Sequence, residues 1–491
     1  MASPSLSPSA RAPRDRLSDL PDFLLGNILS YLPTKEAGCA AGLSRRWRNI
    51  FCNVHAISFE EREGERAKDW DTFYYEAEER KSCSGVILDD VCSALLCRRR
   101  TAGAHVPLRS FRFAFDDCHH WNAVHVDQWL TYVLRTNRHH ELHLDLCFWL
   151  GPICRRRKRD RYGGEEEEEV GSGTDNSDAE EERRKWRPWS YVLPRGLFSC
   201  TAIRTLRISN CRMNLPKTVE LPFLETLSIT APRRDGGRSV QRLISSCLRL
   251  VDLTLQSIDR LTTVSVLDKR LRRLAIRCCH SLRTVHIDAS ELRSLDYSGA
   301  APAESLLSLH GAAGIPSCTV NFCQAPSSES ERDRFTRFME KISAARNLHL
   351  HHQHLPYSCF EGFPSFSSLT RLALQGALLI PGAMRRVLEQ APNLEILTLL
   401  MEFSTVPERL TAPDESSFSV PCLRSRVKEI NMVHYQGDAL QRMMARLLFR
   451  NALVLERMCV VLVKGPFALQ YGLKKEIEGW MVAGHVEKVF L

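Results

Sequence analysis

The hydrophobic pattern of residues 15–51 predicts three short helices. In the first, apolar residues recur at the i, i+3, i+4 and i+7 spacing of one helix face, at Leu25, Ile28, Leu29 and Leu32. Phe23 and Leu24 widen this stripe. Pro21 stands where a helix start tolerates proline, and Pro33 ends the same helix.

Two more helices follow in the same segment. Thr34 is placed to cap a helix from about Lys35 to Ala41, and Ser44 to cap a third helix that carries Trp47. Three helices of this size bury too little surface to be stable alone, and the first is apolar on nearly every face. The segment is therefore either a helical cap on the following domain or a motif that binds a further partner.

From residue 108 onward the chain repeats the pattern L-x-x-L-x-L with conservative substitutions. Clear copies begin at Ile203, Leu224, Leu250, Leu271, Leu282, Leu292, Leu369 and Leu394, and fainter ones at Leu108 and around Leu142. The intervals 203 to 224 and 250 to 271 are 21 residues, which lies within the ~20–29-residue period of leucine-rich repeats. Cys211 and Cys279 occupy the Asn/Cys position of that consensus. The steps from 271 through 282 to 292 are about half a period, so chance can explain some matches there.

Repeats of this kind predict an α+β or α/β repeat fold. Each repeat contributes a short strand whose alternate residues face inward, and stacking the strands gives a parallel sheet with a continuous core. The polar residues between the inward leucines then line a concave face suited to a protein surface or a polar ligand. We name as candidate substrate-binding residues Thr205, Arg207, Thr226, Asp252, Gln256, Arg273, Arg277 and Arg371. Each can equally be a solvated strand position.

Two stretches interrupt the repeats. Gly, Pro and Ser clusters over 299–345 indicate loops, with a helix over Arg332–Ala345. Residues 154–188 contain almost no apolar side chain and are expected to be a disordered insert. Its block Arg155–Arg161 resembles a nuclear-localisation signal, but Glu165–Glu169 follows, and a plain solvated loop is the alternative.

The C-terminal part changes pattern again. A strand that takes in Leu423 and Ile430 is expected to end near Gln436–Gly437. An amphipathic helix is predicted from Asp438, its cap, to Asn451. A final strand is predicted at Leu455–Leu462.

Composition adds limits rather than a function. The 491 residues exceed the ~250–300 at which one core stops growing, so two or more folding units are expected. The sequence contains no uninterrupted run of ~18 apolar residues, so no membrane span is predicted. The Ser/Pro/Arg-rich start lacks the apolar stretch of a secretory signal; we interpret residues 1–14 as a disordered leader, with a transit peptide as the weaker alternative. A net charge of +9 is modest for this length and does not indicate nucleic acid.

Motifs of catalysis or metal binding are absent from the sequence. The 18 cysteines, expected as thiols, form no CxxC pair, and the histidines of His349–His354 are interpreted as solvent or loop residues. Cys118 and His119–His120 are similarly isolated. No phosphate-binding loop, GxSxG or HExxH occurs. We therefore predict no catalytic residue, no metal and no cofactor.

The N-terminal segment resembles the plant F-box, whose pattern is roughly D-x-[IL]-S-x-LPD-x-[IL]-L-x-x-IL-S-x-LP-x-K-E-A…LS-[KR]-RWR. Gly26 inside the first helix, the stretch Cys39–Ala41 and Phe51 depart from this pattern. The matching residues are Asp15, Leu17, Ser18, Leu20, Pro21, Asp22, Leu25, Ile28, Leu29, Ser30, Leu32, Pro33, Lys35, Glu36, Ala37, Leu43, Ser44, Arg45, Arg46, Trp47 and Arg48.

The segment after the repeats resembles the FBD segment of plant F-box proteins. Matching residues are Cys422, Leu423, Val427, Lys428, Ile430, Gly437, Leu448, Asn451, Ala452, Leu455, Glu456 and Met458. With both resemblances the predicted organisation is a leader over 1–14, an F-box over 15–55, a leucine-rich-repeat solenoid over 100–410 and an FBD-like segment over 420–491.

The family resemblance implies a non-catalytic, substrate-recognition subunit of an SKP-cullin-F-box ubiquitin ligase, in the nucleus and/or cytoplasm. The F-box would dock on an SKP-type adaptor, and the repeats would bind a target protein, with no role for nucleic acid or membrane. The adaptor contacts implied by position are Leu20, Pro21, Leu24, Ile28, Leu29, Leu32, Pro33, Leu43 and Trp47. A leucine-rich-repeat scaffold without a ligase role is the alternative. The sequence cannot separate the two functions, because both would use the same contact residues.

Overall fold

The structure is a computed structural model that describes residues 17, 19–61, 77–99, 107–115, 120–137, 140–148, 154, 190–232, 237–268, 270–311, 314–353, 355–376, 379–401, 418–480 and 486–491. The predicted leader, Asp15, Ser18 and the insert beyond Cys154 lie outside these residues, as do Cys118, His119 and His354. The chain forms two compact units, one of Met1–Gly151 with Arg187–Asn210 and the other of Pro152–Trp186 with Cys211–Leu491.

The first unit joins the three N-terminal helices to four parallel strands in the order β1-β2-β3-β4. The first strand lies upstream of residue 100, where the repeats were predicted to begin. The elements are α1 (Asp22–Leu29), α2 (Thr34–Leu43), α3 (Arg45–Phe51), β1 (Ala56–Glu60), α4 (Ala77–Arg99), β2 (Ser110–Ala114), α5 (Ala123–Thr136), β3 (Leu142–Cys147) and β4 (Ile203–Ser209).

Aromatic side chains form the core of this unit. Phe111 and Phe113 alternate with polar residues along β2 and are fully buried, as a strand with one covered face requires. In register, they face Leu144 and Leu146 of β3. Trp129 of α5 packs edge-on against Phe113, with ring centroids 5.9 Å apart. The faint repeat copy at residue 108 is therefore a genuine strand.

The second unit contains the remaining repeats. Its main sheet is parallel, in the order β5-β6-β8-β10-β12-β13-β14-β15-β16-β17-β18. No helix in the described parts of the chain is both long and apolar enough to span a bilayer. The strands are β5 (Thr226–Thr230), β6 (Asp252–Gln256), β7 (Thr263–Val266), β8 (Arg273–Arg277), β9 (Thr284–Asp288), β10 (Ser294–Gly299), β11 (Leu307–His310), β12 (Ser317–Phe322), β13 (Asn347–His351), β14 (Arg371–Gly376), β15 (Ile396–Met401), β16 (Glu429–Tyr435), β17 (Arg457–Leu462) and β18 (Glu487–Phe490). The helices are α6 (Gly237–Ser246), α7 (Glu329–Lys341), α8 (Pro381–Glu389), α9 (Pro421–Ser425), α10 (Ala439–Asn451) and α11 (Phe467–Trp480).

The half-period matches belong to a second sheet. β7, β9 and β11 pair in parallel in the order β11-β9-β7, so the repeats around them carry two strands each. Val285 and Ile287 of β9 are completely buried between this sheet and the rest of the core. The pattern beginning at Leu282 is thus structural and not a chance match, because it places these residues on a strand of the opposite layer.

Several strands end in a residue with left-handed backbone conformation. Ala231, Ser257 and Cys278 directly follow β5, β6 and β8 with φ of 42°, 50° and 51°. This conformation is uncommon for residues with a Cβ and reverses the direction of the chain at the strand end. After β8, the reversal brings the thiol of Cys279 into the core, where burial raises its pKa to about 12. The expected consensus cysteine is therefore an inert packing group.

The C-terminal region confirms one expected cap and corrects one strand. The Asp438 carboxylate accepts a hydrogen bond from the Gln441 amide at 2.8 Å and caps α10. Leu423 lies in the short helix α9, not in a strand, because Pro421 occupies the first helical turn. The predicted helix over Arg332–Ala345 begins and ends earlier, as α7, where the Ser328 side chain caps it.

His352 departs from the expectation of a solvent or loop histidine. It follows β13, its side chain is buried, and its ring packs edge-on against Phe360 with centroids 6.4 Å apart. Burial lowers the pKa of this imidazole to about 4. His352 is therefore neutral in the folded protein at ordinary pH.

Acid should therefore destabilise the fold through His352. Between an unfolded-state pKa of about 6.5 and the folded value of about 4, the unfolded chain binds more protons. The free energy of unfolding therefore decreases as the pH is lowered through this window, by up to about 1.4 kcal/mol per pH unit. In a thermal-denaturation series, the Tm of wild type should decrease from pH 7 to pH 5. The Tm of His352→Gln should decrease less over the same range. The exposed His310→Gln should keep the wild-type decrease; equal pH slopes for all three proteins would contradict the assignment.

Candidate functional site

An ion pair joins the first and third helices at the start of the N-terminal motif. Arg46 Nη2 lies 2.9 Å from Asp22 Oδ1, and the same nitrogen donates to the Leu20 carbonyl oxygen at 2.7 Å. Both side chains are partly exposed, so the pair contributes little free energy by itself. Its effect is geometric, because it fixes the N-terminus of α1 against α3.

The two expected caps have different outcomes. Ser44 caps α3 as predicted, with its hydroxyl accepting from the Trp47 amide at 3.2 Å. Thr34 does not cap α2, because it is already the first helical residue and Pro33 occupies the cap position. Its hydroxyl instead accepts from the Ser58 amide of β1 at 2.8 Å and ties the helix start to the sheet.

Gly26 is buried where α1 approaches the end of α3. A Cβ at this position would lie 2.9 Å from Asn53 Cβ and 3.1 Å from the Asn53 carbonyl oxygen. One turn later, the Ser30 hydroxyl accepts from the His55 amide at 3.0 Å. The glycine that departs from the family pattern is thus a contact that lets the helices pack closely.

Helix α1 has a buried face and an exposed apolar face. Leu25 and Leu29 are one turn apart and point into the unit, Leu29 with only 4% exposure. Leu24 and Ile28, also one turn apart, are exposed, with Ile28 at 43%. Leu29, expected to contact an adaptor, shares the inward face with Leu25 and supports the helix from inside; its adaptor contact stays a prediction.

The exposed apolar set extends beyond α1. Leu32 and Leu43 are exposed, Leu43 at 75%, together with Pro21 and Pro33, whereas Leu20 and Trp47 are half-buried. Two further large residues were not predicted as contacts: Phe23, and Tyr31 at 89% exposure. Phe23 lies outside the Leu25 and Leu29 face, which helical periodicity can identify, whereas Tyr31 lies in the turn after α1. Exposed apolar groups of this kind mark interaction surfaces.

The face between the inward leucines carries paired charges in the second unit. Arg273 of β8 donates from Nε to Asp252 Oδ1 of β6 at 2.8 Å, and its Nη2 also bonds Asp252. These hydrogen bonds raise the pKa of the Arg273 guanidinium. Thr226 of β5 donates to the same carboxylate at 3.4 Å. The structure thus brings together Thr226, Asp252 and Arg273 on three neighbouring strands.

The other candidate substrate-binding residues also lie on accessible strand positions. Arg277 pairs with Asp296, its Nε donating to Oδ2 at 3.1 Å. Gln256 is half-buried and Arg371 is exposed. In the first unit, Arg207 is exposed, and the half-buried Thr205 hydroxyl lies 2.9 Å from His143 Nδ1. Because Arg273 and Arg277 are each paired with an aspartate, this part of the face offers hydrogen bonds rather than a strong field of one sign.

A cluster of three thiols and one imidazole lies at the ends of strands in the second unit. Cys154, Cys278, His280 and Cys323 place their ligand atoms within 4.8 Å of one another. The sequence predicts no metal site here. Motif spacing cannot detect the cluster, since Cys154 and His280 are 126 positions apart.

Comparison with known proteins identifies the class. The family model of the F-box domain matches residues 17–57. The model of the LRR repeats of FBD-associated F-box protein At5g56370 matches residues 181–326. With the three-helix motif and the parallel repeats, these matches indicate an F-box domain followed by leucine-rich repeats.

Relatives from Arabidopsis thaliana have the same organisation over most of their length. F-box/LRR-repeat protein At4g14103 is 26% identical over 412 residues, covering 78% of this chain and 91% of the relative. FBD-associated F-box protein At5g27750 is 22% identical and covers 92% and 93%. F-box/FBD/LRR-repeat protein At5g22660 is 23% identical and covers 91% and 90%. The resemblance stated from the sequence is confirmed, while the bounds 420–491 of the FBD-like segment stay a prediction.

Replacing Gly26 with alanine should destabilise the protein, against the helix propensity that favours alanine by about 1 kcal/mol. The added Cβ would press on Asn53, and overpacking of this kind costs about 1–3 kcal/mol. The measurement is denaturant unfolding of the full chain. Gly38→Ala and Gly42→Ala in α2 are matched controls, because nothing lies within 4 Å of a Cβ there. They should be neutral or stabilising; a stabilising Gly26→Ala would refute the contact.

Proposed function

We propose that the protein is the substrate-recognition subunit of an SKP-cullin-F-box type ubiquitin ligase. In this proposal the N-terminal helices dock on an SKP-type adaptor, and the repeats hold a target protein. The observation that carries the proposal is the exposed apolar surface of the motif, formed by Phe23, Leu24, Ile28, Tyr31, Leu32 and Leu43.

The geometry of α1 supports docking by a preformed surface. Leu25 and Leu29 lock one face of the helix into the first unit, so Leu24 and Ile28 are held outward and stay exposed among the residues that the structure describes. Little conformational entropy is then lost on binding, which favours affinity. Aliphatic and aromatic residues that enter a desolvated groove carry most of the binding energy in helix-in-groove recognition.

The repeat face supports recognition of a protein target by hydrogen bonds and shape. Its residues between the inward leucines are polar, and the pairs Arg273–Asp252 and Arg277–Asp296 neutralise charge. A receptor of this kind needs no reacting group of its own, because it accelerates transfer by holding a target near the ligase's other subunits. We place this activity in the nucleus and/or cytoplasm, which imaging of a tagged full chain tests.

Introducing a charge into the exposed apolar surface should weaken adaptor binding strongly. Ile28→Asp would place a carboxylate in a desolvated groove, at a cost of several kcal/mol, so the Kd should rise at least about a hundredfold. Binding of purified full-length chain to an SKP-type adaptor is measured by calorimetry. Leu29→Asp is unsuitable, because Leu29 is buried and the variant would unfold.

Leu453→Asp is the matched control. This leucine is also exposed, at 59%, but lies in the second unit, so the variant should bind the adaptor like wild type. Folded wild-type chain that does not bind the adaptor would contradict the docking role. Adaptor binding without ubiquitin transfer to any captured protein, in an assay completed with a cullin–RING module, would favour the leucine-rich-repeat scaffold instead.

A further inference from the structure

Three thiols and an imidazole converge at one point of the second unit. His280 Nε2 lies 3.6 Å from Cys154 Sγ and 3.9 Å from Cys323 Sγ. The thiols of Cys154 and Cys278 are also within hydrogen-bonding reach of Cys323. All four ligand atoms lie within 4.8 Å of one another.

The repeat architecture builds this convergence. Cys278 directly follows β8 and Cys323 directly follows β12, and the strand between them is β10. The Cys278 amide donates to the Ser298 carbonyl oxygen, and the Cys323 amide donates to the Gly299 carbonyl oxygen at 3.0 Å. Both cysteines are thus anchored to the last two residues of β10.

Small residues end β10, the strand between the two cysteines. The strand ends in Ser298 and Gly299 and is followed by Ala300, whose carbonyl oxygen accepts from the buried Tyr297 hydroxyl at 2.6 Å. Cys278 has a left-handed backbone conformation at the end of β8, and His280 lies two residues after it. The ends of β8 and β12, on either side of β10, therefore supply three of the four groups from fixed backbone positions.

We propose that Cys154, Cys278, His280 and Cys323 form a structural zinc site. In a tetrahedral site with Zn–S of about 2.3 Å and Zn–N of about 2.0–2.1 Å, sulfur and nitrogen ligands lie about 3.6 Å apart. The distances from His280 to Cys154 and Cys323, 3.6 and 3.9 Å, agree with this separation. Four protein ligands of the Cys₃His type close the coordination sphere, as structural zinc requires.

Ligand chemistry favours zinc over the hard divalent cations. Thiolates and imidazole suit zinc, whereas magnesium and calcium take oxygen ligands. Cys278 and Cys323 are buried, Cys154 is half-buried and His280 is exposed, so an ion can enter from the histidine side. The buried Cys247, outside the cluster, donates to the backbone carbonyl oxygen of Leu243.

The metal would fix a specific point of the chain. Cys154 immediately precedes the basic block Arg155–Arg161 in the sequence. Coordination would tie this residue to the carboxyl ends of β8 and β12 and so hold the start of the charged insert at the repeat sheet. Because the ligands come from separate segments, binding should also stabilise the folded second unit.

The test is the metal content of full-length protein purified under reducing conditions with zinc present and then dialysed. Plasma mass spectrometry should find about one zinc per wild-type chain. Substituting cobalt for zinc should give the visible spectrum of tetrahedral thiolate-bound cobalt. Cys323→Ser should reduce bound zinc to below about a tenth per chain and remove the cobalt spectrum.

Matched variants separate coordination from packing. Cys318→Ser replaces an equally buried thiol of β12 outside the cluster, and it should retain zinc. If Cys323→Ser does not fold, the half-buried Cys154→Ser and the exposed His280→Ala test the same site, with exposed His310→Ala as the control. Wild-type chain without zinc, or equal zinc in ligand and control variants, would overturn the proposal. A disulfide between cluster cysteines in the reduced wild-type protein would overturn it as well.

Discussion

A short parallel strand cannot cover its own apolar face, and this constraint governs the second unit. Each strand of the main sheet pairs with the next repeat, so leucines such as Leu253 and Leu274 lie in register and are buried together. Where the repeats shorten around β7, β9 and β11, a second sheet covers the core in place of helices. The hydrophobic effect, acting on alternate positions, therefore sets the register, the period and the exposed polar face together.

The N-terminal helices meet the same requirement only in part. Leu25 and Leu29 are satisfied by the first unit, while Leu24, Ile28 and Leu43 stay exposed. Close packing through Gly26 and the Asp22–Arg46 pair holds this arrangement. Exposed apolar patches on a folded protein mark sites where a partner can bind and remove the apolar surface from water. In the proposed function, the motif supplies an apolar docking surface and the repeats a polar recognition face.

Periodicity in the sequence predicted the strands well, because alternation of leucines with polar residues is a local signal of burial. The cap at Asp438 was predictable for the same reason: the capping residue and the helix are adjacent in sequence. The burial of Leu29 was not predictable, because a stripe of apolar residues does not say which part is buried in the core and which is exposed. The prediction that Thr34 caps α2 was wrong, because its hydroxyl accepts a hydrogen bond from the Ser58 amide, a tertiary contact that local sequence does not show. The cluster around His280 could not be predicted without knowing the strand order, because Cys154 and Cys323 are brought together only by folding.

Hydrogen–deuterium exchange of the full chain, alone and with a purified SKP-type adaptor, tests the central claim most directly. The account predicts that the adaptor slows exchange in peptides from residues 19–51, which carry Leu24, Ile28 and Leu43. Peptides from the main-sheet strands of the second unit should exchange at unchanged rates. Protection of those strands by the adaptor, with residues 19–51 unaffected, would contradict the assignment of the exposed apolar surface as the docking site.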